Sequence, residues 1–403
     1  VAAVKSAMVQ VESDPANLSA QSGLPGELQE NYESGRLLGF FLRLLIIGGV
    51  GIGLVLIALR HPFVGRRLAL MIPTLAVISV IVFIIVQLPP GDYVATKVME
   101  FEMQGTAAST QAIEDLRNDF YLDHSLAMRY LRWVGLLWFT SFAPEDMGLL
   151  QGNMGLSMEH NRSVNDVVGD RVVLTIFVST ATLLFTWALA LPIGIYSAVR
   201  QYSTGDYVVT FLGFLGMSVP GFLLAIVLMY AGNHWFGVSV SGLFSPEFAT
   251  TPEWSWAKAV DLLKHVWLPV VVLGLGGTAG MIRVMRANLL DELRKPYVTT
   301  ARAKGVRPLT LLFKYPVRLA LNPFVSGLGA LFPQLISGGA IVALVLSLPM
   351  VGPVMLDALL AEDVYLAGSI LVVMSLLGVV GTLASDLLLL WLDPRIRIGG
   401  GAR

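Results

Sequence analysis

Several apolar runs in this chain are long enough to span a bilayer. Crossing a hydrocarbon core takes about 20 mostly apolar residues, because backbone polar groups there must be satisfied within the segment itself. Six runs meet that requirement, at about 68–88, 172–199, 207–232, 266–284, 323–347 and 367–391. A seventh, at about 37–59, is apolar but carries Arg43 and the glycines Gly48, Gly49, Gly51 and Gly53. With Arg43 snorkelling toward the headgroups it reads as a further span, the alternative being a helix lying in the membrane surface. Composition agrees, since 55% of residues are hydrophobic and only 14% charged, against roughly 25% charged in soluble domains. The expectation is an all-helical membrane protein with a six-span core and an extra N-terminal span.

Net charge is -1, so no global basic excess points to nucleic acid, and the information lies in where the charges sit. Arg60, Arg66 and Arg67 precede the first clear span, nine basic residues run from Arg283 to Arg318, and Arg395, Arg397 and Arg403 form the tail. The positive-inside rule puts those segments in the cytoplasm. The loop at about 348–366 has no Lys or Arg but carries Asp357, Glu362 and Asp363, and 91–171 holds more acids than bases. Both are expected outside, as is the acidic N-terminal tail if the seventh run crosses. The expected organisation is a tail and extra helix over 1–63, a first core span at 64–90, an extracytoplasmic helical subdomain at 91–171, and a core at 172–398 with a cytoplasmic loop at 286–322.

Several chemistries are excluded. The chain has no cysteine, and its five histidines are scattered with no HExxH or similar ligand spacing, so neither a metal site nor a thiol nucleophile is expected. No G-x-S-x-G and no paired intramembrane aspartates occur, which argues against an intramembrane hydrolase. There is no GxxxxGK[ST] and no Gly-Lys pair at all, so the polypeptide lacks a phosphate-cradling loop. No span centre shows an evident paired ion relay and no inverted repeat is evident, which argues against a secondary transporter.

Outside the spans, "STQAIEDLRNDFYL" (109–122) offers Ser109 or Thr110 as a helix cap with acids in the first turns. "SLAMRYLRWVGLLWF" (125–139) has amphipathic helical spacing. Trp235, Trp254, Trp256 and Trp267 bracket the 233–265 loop and suit headgroup depth better than chemistry. Polar residues at membrane depth usually face a cavity or another helix. Ser218 with Pro220, and Gln334 with Ser337, are the candidates for a pathway, interhelical hydrogen bonding being the alternative. The glycines of "GLGGTAG" (274–280) suit close helix packing.

The basic stretch "KPYVTTARAKGVRPLTLLFKYPVRLALNPF" (295–324) carries the most pattern. Pro296 suits a first helical turn and Gly305 a helix stop, which predicts a helix of about two turns. Thr300, Ala301 and Ala303 are small and admit another surface closely, while Arg302, Lys304 and Arg307 supply charge. Positive-inside bias alone would explain the charge. The order of residues goes further, because "YVTTARAKG", with Pro323 eighteen positions past the glycine, resembles the coupling-loop signature of permease subunits of ATP-binding-cassette importers. In the oligopeptide/dipeptide branch that signature is Tyr-Val-x-Thr-Ala-Arg-Ala-Lys-Gly, matched by Tyr297, Val298, Thr300, Ala301, Arg302, Ala303, Lys304 and Gly305. "LPPGDY" (88–93), "GNMGLSM" (152–158), "SVPGF" (218–222), "HVWLPVVVLGLG" (265–276) and "LDPRIR" (392–397) resemble further elements of the family, over about residues 64–398. The chain departs from the pattern at Pro89, Tyr93 and Leu319, and residues 1–63 fall outside the six-span core.

The resemblance implies a non-catalytic transport subunit of a bacterial or archaeal cytoplasmic membrane, with a cytoplasmic C-terminus. Its implied partners are a second related permease subunit, two ATPase subunits that bind ATP and Mg, an extracytoplasmic substrate-binding protein and membrane lipid. No cofactor is expected on this chain. The implied cargo is peptide, with nickel complexes, opines or sugars as alternatives. Residues 296–305, with Tyr297 and Arg307, are the expected ATPase-coupling element.

Overall fold

The computed structural model describes residues 60, 62–88, 93–94, 97–98, 114, 117–118, 120–236, 241–249 and 254–392. The expected span at 37–59, the helix capped at Ser109 or Thr110, and the tail from 393 lie outside the described residues. In chain order the longer helices are α1 (Pro62–Val86), α2 (Leu126–Val134), α3 (Val164–Val199), α4 (Thr204–Ser218), α5 (Gly221–Phe236), α6 (Trp256–His265) and α7 (Trp267–Leu293). The basic stretch then forms α8 (Pro296–Ala303), α9 (Pro308–Lys314), α10 (Pro316–Ala320) and α11 (Asn322–Ser326). The chain closes with α12 (Leu328–Val345), α13 (Val351–Leu360) and α14 (Val364–Leu392). Among the described residues β pairing is confined to an isolated bridge between Leu156 and Ser163.

Helices α1, α3, α7 and α14 are each long and apolar enough to cross a bilayer. The run at 207–232 is not the single straight span its hydropathy suggests. It breaks into α4 and α5 at an angle of 96°. Val219 adopts extended backbone, φ -90° and ψ 122°, as a residue before proline is pushed to do, and Pro220 has no N–H with which to continue the ladder. The run at 323–347 is likewise interrupted at Gly327, between α11 and α12. Helix α7 continues beyond the apolar run to Leu293. Arg283 and Arg286, counted above among the loop charges, are therefore helical residues.

The long helices meet where glycine removes a side chain. A Cβ at Gly194 of α3 would lie 2.6 Å from the Met285 Cβ of α7, and one at Gly274 of α7 would lie 2.5 Å from the Phe185 ring of α3. Such approach gives the packing that substitutes in lipid for a hydrophobic drive between helices. Of the "GLGGTAG" glycines, Gly274 makes this approach, whereas Gly276, Gly277 and Gly280 face open space. Among the described residues, three of the buried clusters lie between these helices. One lies among α3, α5, α6, α7 and α12, including Leu268, Val272 and Leu346. A second joins α1, α3, α13 and α14 around Val168, Leu366 and Ile370. The third sits at the basic end, where Met285 and Leu289 of α7 pack on Val317, Ala320 and Phe324.

At the opposite, acidic end, Ser125 caps α2 by accepting from the Met128 N–H, and Gly135 stops it with φ +88°. The amphipathic helix expected over 125–139 therefore ends at Val134 and resumes as one turn at Trp138–Ser141. Trp235, Trp254, Trp256 and Trp267 are all exposed, as interfacial indoles should be.

Candidate functional site

The basic segment is built as a foot on a rigid ankle. Pro296 opens α8 at a position where a missing N–H costs nothing. The helix closes with two paired bonds, from the Gly305 N–H to the Arg302 carbonyl (3.0 Å) and from the Val306 N–H to the Ala301 carbonyl (3.3 Å). That is a Schellman stop, and it needs a left-handed residue. Gly305 supplies it with φ +74°.

Anchoring and presentation are divided along the helix. Val298 is fully buried. The Tyr297 hydroxyl and the Lys295 ammonium grip the two oxygens of Glu292 at the end of α7, both at 2.6 Å. Thr300 donates to the Pro296 carbonyl, 2.9 Å away. Arg302, Ala303, Lys304, Gly305 and Arg307 are exposed, and among the described residues no ion pair involves the three cations. A Cβ added at Gly305 would meet nothing within 4 Å. Beside this tip, Leu309 and Phe313 of α9 are 72% and 57% exposed. Sequence reasoning passed over that pair, although their i, i+4 spacing in a charged loop was its signal.

The ankle is clamped to the bundle at two places. Arg318 of α10 donates to the Leu392 and Trp391 carbonyls, both at 2.7 Å, filling orphan acceptors at the end of α14 where a cation also suits the helix dipole. Deeper in, Asp206 of α4 is buried. It accepts from the Tyr202 N–H (2.9 Å), the Arg286 guanidinium of α7 (3.0 Å) and the Ser197 hydroxyl of α3. One carboxylate thus ties together α3, α4 and α7.

Two further locks hold the acidic end. Fully buried Asp363 accepts from the Ser157 hydroxyl (2.6 Å), the Glu159 N–H (3.2 Å) and the Leu366 N–H (2.9 Å). It fixes the "GNMGLSM" element to the start of α14. Asp261 of α6 accepts from the Ser245 N–H and hydroxyl, both at 2.7 Å. Burial works to raise this carboxyl, but the two Ser245 hydrogen bonds, with the His265 and Lys264 charges, hold it below the usual carboxylate range.

The pathway candidates are not gathered into one site. The Ser218 hydroxyl turns back to the Phe214 carbonyl at 2.8 Å, and Pro220 makes the break. Gly221 approaches Val342 of α12, which is about 12 Å along that helix from Gln334 at 1.5 Å per residue. Gln334 is exposed on α12, and the side chain of Ser337 lies outside the described residues. Among the described residues no cluster of three or more His, Cys, Asp or Glu could hold a metal. Arg283, Arg286 and Asp386 all lie within long apolar helices.

The described residues thus form a helical bundle with several membrane-length spans and a basic, tightly stopped foot at one end. Residues 190–398 match the family model described as binding-protein-dependent transport system inner membrane component, and residues 60–179 match the N-terminal model of the same system. The chain belongs to this family and is a multi-pass inner-membrane protein. It is 28% identical over 338 residues to the oligopeptide transport system permease protein of Bacillus subtilis, covering 83% of this chain and 98% of that one. It is 30% identical over 332 residues to the glutathione transport system permease protein of Pectobacterium atrosepticum, covering 82% and 97%. Similarity to the dipeptide transport system permease protein of Escherichia coli is 28% over 351 residues, covering 83% and 98%.

Proposed function

We infer that this chain is a permease subunit of an ATP-driven importer of peptides, pairing with a second permease subunit to enclose the pathway. Two partner ATPases hold ATP and Mg, and a substrate-binding protein delivers cargo to the acidic end, which faces outside. The basic end is cytoplasmic. The foot carries this reading: it is anchored by buried Val298 and by the Tyr297 bond to Glu292 of α7, while its tip presents Arg302, Lys304, Gly305 and Arg307 with Leu309 and Phe313 alongside. A surface that pairs cations with exposed apolar side chains fits a protein groove better than bare solvent. Closure of the ATPase pair would push this tip, and the Asp206 and Arg318 clamps would pass the motion to α3, α4, α7 and α14 as rigid bodies. The break between α4 and α5, with Ser218 and Pro220, and the exposed Gln334 and neighbouring Ser337 of α12 are assigned to the pathway.

The deciding experiment starts from the cognate binding protein as purified from cells. Its ligand is identified by mass spectrometry, and the loaded protein is added to the reconstituted complex. A peptide ligand and stimulated ATP hydrolysis with uptake are expected. Uptake by this chain alone on an ion gradient would refute the reading.

A further inference from the structure

Arg283 is the one exposed arginine whose head group points deeper into the apolar bundle, among the described residues of the long helices α3, α7 and α14. Its backbone lies about 24 Å from Trp267 at 1.5 Å per residue, just past the midpoint of α7 and at the basic end of its apolar run. An arginine so placed in a membrane helix ordinarily snorkels to the nearer surface. This one does the opposite. Its guanidinium lies 3.3 Å from the Met217 sulfur and 5.4 Å from the Phe214 ring, both on α4. Helices α4 and α7 run antiparallel in a register fixed at two points. Asp206 bonds to Arg286, and a Cβ on Gly213 would touch that of Ala279 at 3.4 Å. Phe214 and Met217 are therefore level with Thr278 and Leu275 of α7, about 16 Å and about 12 Å from Trp267. Side chains on a helix lean toward its N-terminus, so Arg283 leans inward along α7 while Met217 leans down along α4 to meet it.

The cation thus stops beside the α4–α5 break. Its neighbours there are a thioether and a ring, and among the described residues no carboxylate pairs with it. Phe214 and Met217 are themselves exposed, as are Val219 and Phe222 at the α4–α5 break. A guanidinium facing hydrocarbon at this depth costs several kcal/mol, so such a residue faces water or an anion. Resting on that import reading, we propose that Arg283 lines the translocation pathway and recognises the carboxylate of a passing peptide. The thioether and ring hold the guanidinium out of lipid without neutralising it. One Nη2 donor meets only the weak thioether acceptor, so the fork can turn its remaining donors to a bidentate carboxylate contact.

The carboxylate has two sources, the peptide C-terminus or an acidic side chain, and three cargoes separate them. These are a neutral tripeptide with a free C-terminus, the same peptide amidated, and an amidated analogue bearing one Glu. Uptake is measured in proteoliposomes holding the whole complex and its binding protein, each cargo expressed as variant over wild type so that delivery affinity cancels. Arg283→Gln is expected to cut uptake of the free acid roughly tenfold or more while the neutral amide falls far less. Arg283→Lys should keep much of the preference. Loss confined to the Glu-bearing amide would assign the contact to side-chain carboxylates within the same proposal. Equal loss for all three cargoes, or failure of the Arg283→Gln complex to co-purify, would make Arg283 a structural contact and overturn it. If the wild-type complex moved none of the three, the import reading itself would fall, a result distinct from uniform loss in the variant.

Discussion

Replacing Arg286 by Met tests whether the inner ends of α3, α4 and α7 are held by one carboxylate. Asp206 is 3% exposed and receives three donors, of which Arg286 is the only cation. Removing one member of a buried ion pair costs about 3–5 kcal/mol when the remaining charge has no other support. Here the Tyr202 N–H and the Ser197 hydroxyl remain, and the Arg286 side chain is itself 30% exposed. The expected loss is therefore smaller, about 2–3 kcal/mol. Asp206→Asn should cost a similar amount, since it keeps the shape but leaves Arg286 facing a neutral amide. The double variant should cost less than the sum, by about 1.5 kcal/mol or more, because each single change already removes the shared attraction. Resistance to unfolding in a detergent–SDS titration, run on all four proteins, measures that coupling. Additivity within about 0.5 kcal/mol would show that the 3.0 Å contact carries no net energy and that the clamp is not a clamp. The single variants should also hydrolyse ATP with little uptake in the full complex, as a loosened ankle would.

Gly305→Arg places a side chain where φ is +74° and open space lies ahead. It should cost the fold only about 1 kcal/mol, with normal membrane insertion and lost uptake, and normal uptake would remove the foot from the mechanism. Arg302→Glu or Lys304→Glu should weaken co-purification with the ATPases most at low salt, where charge contacts are least screened. Leu309→Ser with Phe313→Ser should weaken it at every salt concentration, and an unchanged complex in both cases would place the ATPase contact elsewhere. Asp261 titrates below its unfolded value, so its tether to Ser245 is fully present above about pH 4 and is lost only as pH falls through the lower folded value. Hydrogen exchange at Ser245 should be flat from pH 7 to about 5 once corrected for intrinsic rate. Release of the loop within that window, absent in Asp261→Asn, would contradict the sign.

What the sequence decided alone was whatever depends on neighbours along the chain. Hydropathy located four long spans and the bent pair α4–α5, because the cost of an unsatisfied peptide in lipid is set residue by residue. Pro296 and Gly305 marked the ends of α8 to within a residue or two, because a missing N–H and a left-handed φ are local demands. Hydropathy is blind to direction, however, and the 96° bend at Val219–Pro220 sits inside a run that is apolar throughout. Only the fold brought Asp206 to Arg286 across 80 positions and Ser157 to Asp363 across 206. Tertiary structure also turned Arg283 inward: a chain position at the end of an apolar run says nothing of which way a long side chain leans, and the antiparallel register of α4 on α7 settles it.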